Sequence, residues 1–186
     1  MQLSEAIRER RAVREYQDVA VPEAEIEALV NAAIQAPSAM NLQPWAFAVL
    51  RGRERIDRYG QRVKSWLLEE SRRHALDAAA LEILLRPDFT IFHHAPALVL
   101  VLATSTGAQA AEDCCLAAQN LMLAARDQGL GTCWIGFARP WLNLIETKQE
   151  LGLPHHWTVI APIILGYPAA WPQPHGRKSP EILWLR

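Results

Sequence analysis

The sequence predicts a single domain in which helices and strands pack around one buried helix. The chain has 186 residues, of which 51% are hydrophobic and 21% charged, so it is long enough to bury a sizeable core. Residues 108–128 contain no proline or glycine and residues 114–125 carry no charge, which predicts a helix in the core or between two subunits. Residues 97–103, ALVLVLA, form a continuous apolar run that is typical of a buried central strand.

Two helices are predicted in the first forty residues. Ser4 is a suitable N-cap for a short helix that ends at residues 10–11. After an extended stretch over residues 13–21, Pro22 opens the second helix, because proline is favoured at the first helical position. Apolar residues then recur with the spacing of an amphipathic helix: Ile26, Leu29, Val30, Ala33 and Ile34. Pro37 ends this helix.

The middle of the chain combines a strand with a helical excursion. Trp45–Arg51 is apolar enough for an interior strand. Residues 53–85 have a helical composition with a break around residues 70–74, and the excursion continues irregularly to about residue 95. It contains the basic segment Arg51–Arg73, whose role the sequence leaves open.

Glycine and proline mark the elements of the second half. Gly129 and Gly131 end the buried helix, since glycine adopts the left-handed capping conformation without steric cost. We expect a strand over residues 132–137, a helix over Pro140–Gly152 and a second strand over Trp157–Leu165. A proline-rich extended arm over residues 166–186 follows. Pro162 predicts a bulge or an edge position within the second of these strands.

The totals exclude or disfavour several classes of protein. A net charge of −1 gives no support for a general role on nucleic acid or a membrane surface. The apolar run of the central helix is shorter than the roughly 20 residues needed to span a bilayer. The first residues lack the apolar core of a signal peptide, and the cysteine count of three is odd, so we expect a cytoplasmic protein without disulfides.

Common catalytic and metal-binding motifs are absent from the sequence. There is no serine-hydrolase elbow, zinc-protease helix, C-x-x-C pair or Walker loop. The glycines of Gly129–Gly131 follow a helix, whereas a dinucleotide fingerprint precedes one. In the adjacent pairs His93–His94 and His155–His156 the rings would point to opposite faces of a strand, so no metal site is expected. The cysteines are interpreted as small core residues: Cys114, Cys115 and Cys133.

Two segments carry signals for ligand binding. Arg10, Arg11 and Arg14 lie where a helix gives way to extended chain, and guanidinium groups are preferred partners of phosphate. The loop from Pro37 to Trp45 concentrates short polar side chains between two prolines, an arrangement that can read the edge of a planar heterocycle. The alternative for the arginines is a solvated basic surface, and the alternative for the loop is a plain helix-to-strand connection. Each signal alone is weak.

Three motifs, in order, resemble the nitroreductase family of FMN-dependent oxidoreductases. They are RRAVREY from Arg10, APSAMNLQPW from Ala36 and AAQNLMLAARDQGLGTCWIGF from Ala117. The resemblance extends from Ala6 to the pair Arg177–Lys178, nearly the whole chain.

The resemblance implies an α+β fold over residues 1–186, with a mixed central sheet flanked by helices. It also implies an intertwined homodimer with two FMN molecules in the interface, each touched by both subunits. The helix over residues 109–128 would then pack against the partner, and the arm over residues 166–186 would embrace it. The excursion over residues 53–95 would form a lid on the substrate side.

The resemblance also implies roles for individual residues. Arg10 and Arg11 would contact the FMN phosphate or ribityl chain, joined by Arg177 or Lys178, and Arg14 would lie near flavin N1 and O2. Relatives often have serine at the position of Ala12, so one hydroxyl contact is missing here. The residues expected to line the flavin from the second subunit are Pro37, Ser38, Ala39 and Asn41, with Gln43 close by. The backbone at Ile135–Gly136 would face flavin N5.

The implied reaction is transfer of a hydride from NAD(P)H through flavin N5 to a nitroaromatic, a quinone or a related small acceptor, in a ping-pong cycle. No acid–base side chain and no metal are expected, because the flavin supplies the chemistry. Three alternatives stay open. They are a specialised flavoenzyme that dehalogenates, fragments flavin or oxidises azolines, a flavin-binding protein without turnover, and a dimeric interaction module without flavin.

Overall fold

The structure, a computed structural model, describes residues 1–73 and 77–185. The helices are α1 (Leu3–Glu9), α2 (Glu23–Ala33), α3 (Arg53–Arg73), α4 (Ala78–Leu85), α5 (Ala108–Asp127), α6 (Arg139–Leu142) and α7 (Ile145–Leu151). The strands are β1 (Trp45–Arg51), β2 (Ala97–Ala103), β3 (Gly131–Trp134) and β4 (Thr158–Gly166). The two helices predicted in the excursion are confirmed as α3 and α4. The predicted break includes His74, which lies outside the described residues.

The four strands form one antiparallel sheet in the order β1–β2–β4–β3. Every residue of β2 is buried, as predicted for a central strand. The register between β2 and β4 shifts between Val101 and Leu102, so the bulge predicted near Pro162 is confirmed, although β4 is a central strand and not an edge. Within the described residues, the parallel pairing is the isolated bridge between Ala12 and Thr132.

Helices cover both faces of the sheet. α2 and α5 pack against one face, where Val99 and Val101 point. α3 and α6 pack against the other, where Leu98 and Leu100 point, and α4 packs on α3. A strand that is covered on both faces has no polar side, which explains the uninterrupted apolar run of β2. The predicted α+β fold, a central sheet flanked by helices, is confirmed.

The central helix α5 is buried on one side and exposed on the other. Its buried side contains mainly small residues: Ala110, Asp113, Cys114, Ala117, Ala118, Leu121, Met122 and Ala125. Leu116, on the other side, is 46% exposed, and Cys115 is exposed beside it. The prediction that all three cysteines are core residues is therefore wrong for Cys115. In a single chain this side of the helix, which carries Leu116 among polar residues such as Glu112 and Gln119, stays uncovered, because the sheet, α1 and α2 contact only part of its circumference.

Some helix ends differ from the sequence prediction. Gln2, not Ser4, is the N-cap of α1, and its backbone N–H donates to the Glu5 carboxylate at 3.4 Å. The glycine caps are confirmed after α5 and α7, where Gly129 and Gly152 have φ angles of +77° and +70°.

Two elements are less buried than predicted. β1 is an edge strand, and Val49 is 42% exposed, so the prediction of an interior strand is wrong. The helix predicted from Pro140 to Gly152 is divided into α6 and α7, and Ile145, the first residue of α7, is exposed. Both differences depend on which neighbours pack nearby, which the apolar pattern of a segment does not specify.

The basic segment Arg51–Arg73 is used largely for contacts within the chain. Three of its arginines form ion pairs with acidic residues in other parts of the chain: Arg51 with Glu23, Arg53 with Asp18 and Arg62 with Glu150. Lys64 donates to the carbonyl oxygens of Arg86 and Phe89, both at 2.8 Å. These contacts tie α3 to its surroundings and hold the chain after α4 in place.

The side chain of Asn143 ties the α6–α7 turn to β4. Its Nδ2 donates to the carbonyl of Val159 and its Oδ1 accepts from the Val159 N–H, both at 2.9 Å. Val159 is fully buried. Water therefore cannot easily replace these bonds if the amide is removed.

We expect Asn143→Ala to lower the free energy of unfolding by about 2–4 kcal/mol, since each orphaned buried backbone group costs about 1–3 kcal/mol. Urea denaturation measures this change. Asn31→Ala, on the exposed side of α2, is the matched control and should change stability by less than about 0.5 kcal/mol. Equal effects of the two substitutions would contradict the assigned role of Asn143.

Candidate functional site

The N-terminal arginines are positioned by pairing between the N-terminal segment and β3. Ala12 bridges Thr132, and the N–H of Val13 donates to the carbonyl of Thr132 at 3.0 Å. A Cβ at Gly131 would lie 2.8 Å from the Val13 side chain. Gly131 therefore admits the N-terminal segment by close approach, and its predicted role in capping α5 is wrong. The consequence is that Arg14 lies beside the end of β3.

Arg10, Arg11 and Arg177 bring three positive charges together. The charges of Arg11 and Arg177 add to burial, the main cause, in lowering the pKa of Arg10. The Arg11 guanidinium donates to two backbone carbonyls at 2.6 and 2.8 Å. Among the described residues, neither Arg10 nor Arg14 forms an ion pair with a carboxylate. Like charges held together without acidic partners favour an anionic ligand.

A cavity of about 820 Å³ opens beside Arg14. Its lining comes from three parts of the chain: Arg14 and Glu15, residues between Ile83 and His93, and Cys133–Phe137. Aromatic side chains form much of its wall, with Phe89 edge-on to Phe137 at 6.2 Å between ring centroids. A second cavity of about 260 Å³ shares Arg14 and Glu15 and is closed by residues 170–175 of the arm. An elongated ligand with an anionic end and a planar end could occupy both.

The turn after β3 presents backbone N–H groups at the larger cavity. The N–H of Ile135 already donates to the carbonyl of Pro162 at 2.8 Å. Gly136 follows at the start of a 3₁₀ turn, Gly136–Ala138, and its N–H has no backbone acceptor in the part of the chain that the structure describes. Of the two predicted residues, Gly136 is therefore the one whose N–H is available to a ligand.

The Pro37–Trp45 loop is held in one conformation by side chains. The carboxylate oxygens of Asp113, a buried residue of α5, accept from the N–H of Ala39 at 3.2 and 3.3 Å. Within the loop, Ser38 Oγ accepts from the N–H of Gln43 at 2.9 Å, and Gln43 Nε2 donates to Asn41 Oδ1 at 3.0 Å. The loop is therefore built to hold its polar groups in fixed positions.

This loop and the arginines do not meet within one chain. Of the described residues that line the larger cavity, none belongs to the loop, so Pro37 and its neighbours lie on a different surface. The loop is strained and exposed, with positive φ angles at Met40, Asn41 and Gln43. Met40 is 92% exposed and Leu42 69%. Large apolar side chains on such a loop are typical of a surface that another surface covers.

The start of the C-terminal arm is fixed to the body of the protein. The Trp171 ring lies 3.7 Å from the guanidinium carbon of Arg126, which donates to the Glu9 carboxylate at 2.6 Å. This stacking places the following residues near the N-terminal arginines, where Arg177 adds its charge; Lys178 is the next residue and is exposed. The end of the arm is apolar and 60–95% exposed: Ile182, Leu183, Trp184 and Leu185.

Sequence reasoning missed two residues of the site. The sequence analysis assigns no role to Asp113, although an acid directly before the charge-free residues 114–125 is a signal for a buried anchor. His93 lies in a turn and lines the larger cavity. Burial, with smaller contributions from the charges of Arg14 and His94, lowers the pKa of His93 to about 4. No sequence pattern distinguishes it from the other histidines.

Two further kinds of site are not found in the described part of the chain. Residues 1–73 and 77–185 contain no cluster of three or more acidic, histidine or cysteine side chains that could hold a metal ion. None of the helices within these ranges is both long and apolar enough to cross a bilayer.

Comparison with known proteins identifies relatives over nearly the whole chain. A protein of Methanothermobacter thermautotrophicus, provisionally named NADH dehydrogenase/NAD(P)H nitroreductase, is 30% identical over 190 residues, which cover 100% of this chain and 87% of the relative. The 4-nitrobenzoate reductase of a Nocardioides species is 28% identical and the alignment covers 87% of this chain and 78% of the relative.

The fold is shared with a solved structure. A crystal structure of a nitroreductase with bound FMN from Bacteroides fragilis superposes with a TM-score of 0.83 and 26% identity, and covers 100% of both chains. The sequence model of the Nitroreductase family matches residues 7–167, which include the N-terminal arginines, the Pro37–Trp45 loop and the turn after β3. This protein therefore belongs to the nitroreductase family.

Proposed function

We propose that this protein is an FMN-dependent oxidoreductase that transfers a hydride from NAD(P)H to a nitroaromatic, a quinone or a related small acceptor. The observation that carries the proposal is that Arg11 and Arg14 line the smaller cavity and Arg14 also lines the aromatic-walled larger one, with no carboxylate paired to either among the described residues. Family membership, the names of the relatives and the FMN of the Bacteroides fragilis structure support it. A single flavin surface would serve both substrates in turn, which is a ping-pong cycle.

The residues that line the two cavities, together with the neighbouring positive charges of Arg10 and Arg177, fit the parts of FMN. Arg10 and Arg11, with Arg177 or Lys178 from the arm, would bind the phosphate, since guanidinium groups pair well with phosphate oxygens. Ala12 would contact the cofactor only through its backbone and methyl group. Arg14 lies between the smaller and the larger cavity, where it would meet the N1–O2 edge of the ring.

When bound, FMN would supply the centre that accepts and donates the hydride. The chain's own contribution is electrostatic and positional. Negative charge develops at the N1–O2 edge on two-electron reduction, and the guanidinium of Arg14 would stabilise it there. The free N–H of Gly136 would orient N5 without exchanging a proton of its own. No side-chain acid or base is required for these roles.

A second copy of the chain would complete the site. The loop residues expected at the flavin lie away from the arginines of their own chain, so we propose that they line the flavin of the partner subunit: Pro37, Ser38, Ala39, Asn41 and Gln43. Asp113 would hold this loop in its binding conformation. The surfaces available for a homodimer are the exposed side of α5 at Leu116, the apolar loop and the end of the arm.

The chain between α3 and β2 would form the substrate side of the site. Residues from Ile83 to His93 line the larger cavity opposite the turn after β3, which fits the lid expected over residues 53–95. The aromatic wall suits a planar acceptor. The three unpaired cysteines, one of them exposed, fit a reducing, cytoplasmic location.

The visible spectrum of the purified protein tests the proposed function. We expect bound flavin whose absorbance bleaches under anaerobic NADPH or NADH and returns with a nitroarene or a quinone. Flavin that resists both nucleotides would favour a flavin-binding protein or a specialised reaction instead. A colourless protein that ignores added FMN would contradict the proposal and favour a flavin-independent interaction module.

We expect Arg14→Ala to weaken FMN binding by about 1.5–3 kcal/mol, the range for a lost charge-assisted contact, and to slow flavin reduction. Fluorescence titration with FMN and anaerobic stopped-flow kinetics measure the two effects. Arg58→Ala, an exposed arginine of α3 away from both cavities, is the control and should change neither. Unaltered affinity and reduction rate in Arg14→Ala would remove this residue from the flavin site.

In the proposed homodimer, the apolar end of the arm is needed for association. We expect Trp184→Ser combined with Leu185→Ser to shift the protein toward monomer, because each large apolar side chain contributes about 1.5–3 kcal/mol when buried. Sedimentation equilibrium measures the association constant. Ser179→Ala, in the same arm, is the control and should leave it unchanged. A double variant that associates like the wild type would show that the arm does not cover the partner.

A further inference from the structure

His93 and His94 form a strained turn between α4 and β2. Their φ angles are +50° and +53°, in the left-handed region that residues other than glycine rarely adopt. The buried residue before them, Phe92, anchors the turn, and its carbonyl accepts from the N–H of Ala95 at 3.0 Å. Strained backbone of this kind persists only where surrounding contacts enforce it, and it is concentrated at ligand-binding sites.

The two histidine side chains have different environments. His94 Nδ1 lies 2.8 Å from Asp57 Oδ2, so this ring is directed to α3 and clamps the turn. His93 instead lines the larger cavity, where its ring is edge-on to Phe89 at 5.7 Å. Phe89 is itself held by Lys64, which donates to its carbonyl. The turn thus presents His93 to the cavity on a supported aromatic wall.

The His93 ring has polar atoms that the described residues do not use. None of the described side chains or backbone groups forms a hydrogen bond with its imidazole, although the residue is half-buried. Burial lowers the pKa of His93 to about 4. The ring is therefore neutral near pH 7, with one N–H donor and one acceptor nitrogen. The charged groups around it in the cavity are Arg14, Glu15, Arg86 and Asp88, and the last two pair with each other at 2.9 Å.

We propose that His93 is a specificity-determining residue whose imidazole N–H donates a hydrogen bond to an oxygen of a neutral, planar acceptor, such as a quinone carbonyl or a nitro group. The inference rests on the proposed function for the position of the acceptor in the cavity. Arg14 serves the cofactor and carries a fixed charge, whereas His93 offers a directional contact without charge. An acceptor with a carbonyl or nitro oxygen would be held in one orientation by this hydrogen bond, and an acceptor without such an oxygen would not be oriented.

The test compares His93→Phe, which keeps an aromatic ring against Phe89, with His93→Gln, which keeps an amide donor. With benzoquinone as oxidant, we expect His93→Phe to lower kcat/KM about 3- to 10-fold, the effect of one neutral hydrogen bond, and His93→Gln to lower it less than about 2-fold. Ferricyanide, which accepts single electrons and needs no such bond, should react equally with all forms. His156→Phe, in a loop away from the cavity, is the control.

A binding measurement separates this inference from the proposed function. Acetophenone and ethylbenzene have similar shapes, but only the ketone has an oxygen, and neither requires turnover. Titrations followed by NMR should show a 3- to 10-fold weaker affinity of His93→Phe for acetophenone, with ethylbenzene unaffected. The weaker binding of acetophenone could also be found in a protein whose flavin is not bleached by NAD(P)H. That combination would support the inference and refute the proposed reaction.

The opposite pattern would overturn the inference. If His93 only packs against Phe89, then His93→Phe should behave like the wild type and His93→Gln should be impaired with both ligands. Equal affinities of all forms for acetophenone would also reject it, whether or not the protein turns over NAD(P)H.

Discussion

The packing of α5 against the sheet is the contact on which the remaining structure depends. Its buried side consists largely of alanine, with Ala117 and Ala118 fully buried, so the helix can lie close to the strands. Asp113, near one end, holds the Pro37–Trp45 loop, and at the other end Gly129 turns the chain directly into β3. A single helix therefore positions both halves of the candidate site, at opposite ends.

The candidate flavin site combines favourable binding chemistry with local costs for folding. Arg10, Arg11 and Arg177 repel one another, and the described residues provide no carboxylate for Arg10. The turn at His93 and His94 and the loop at Met40 both hold backbone in disfavoured φ regions. Such local conflicts are expected where a protein gives up stability for function, and a phosphate between the arginines would relieve the repulsion.

The cofactor and the chain have different parts in the proposed chemistry. FMN would carry the reaction, which fits a sequence without a serine-hydrolase elbow, a zinc-protease helix, a C-x-x-C pair or a Walker loop. The chain contributes fixed charge at Arg14, a free N–H at Gly136 and an aromatic wall around Phe89. Under the inference drawn above, discrimination among acceptors would depend on His93, which lies outside the three sequence motifs that resemble the family.

Local features of the sequence were sufficient to predict much of the fold and to single out the two segments that carry the candidate site residues. Residues that are neighbours along the chain determine hydrophobic periodicity and turn chemistry. These local patterns predicted the bounds of β1 and β2, the glycine caps after α5 and α7, the arginines of residues 10–14 and the polar loop. Tertiary structure alone decided four other features. They are the exposed edge at Val49, the uncovered side of α5, the close approach of Val13 to Gly131 and the placement of His93 in the cavity. Each of these depends on contacts between segments distant in sequence, and a local pattern states that a residue is apolar or polar without stating what it will meet.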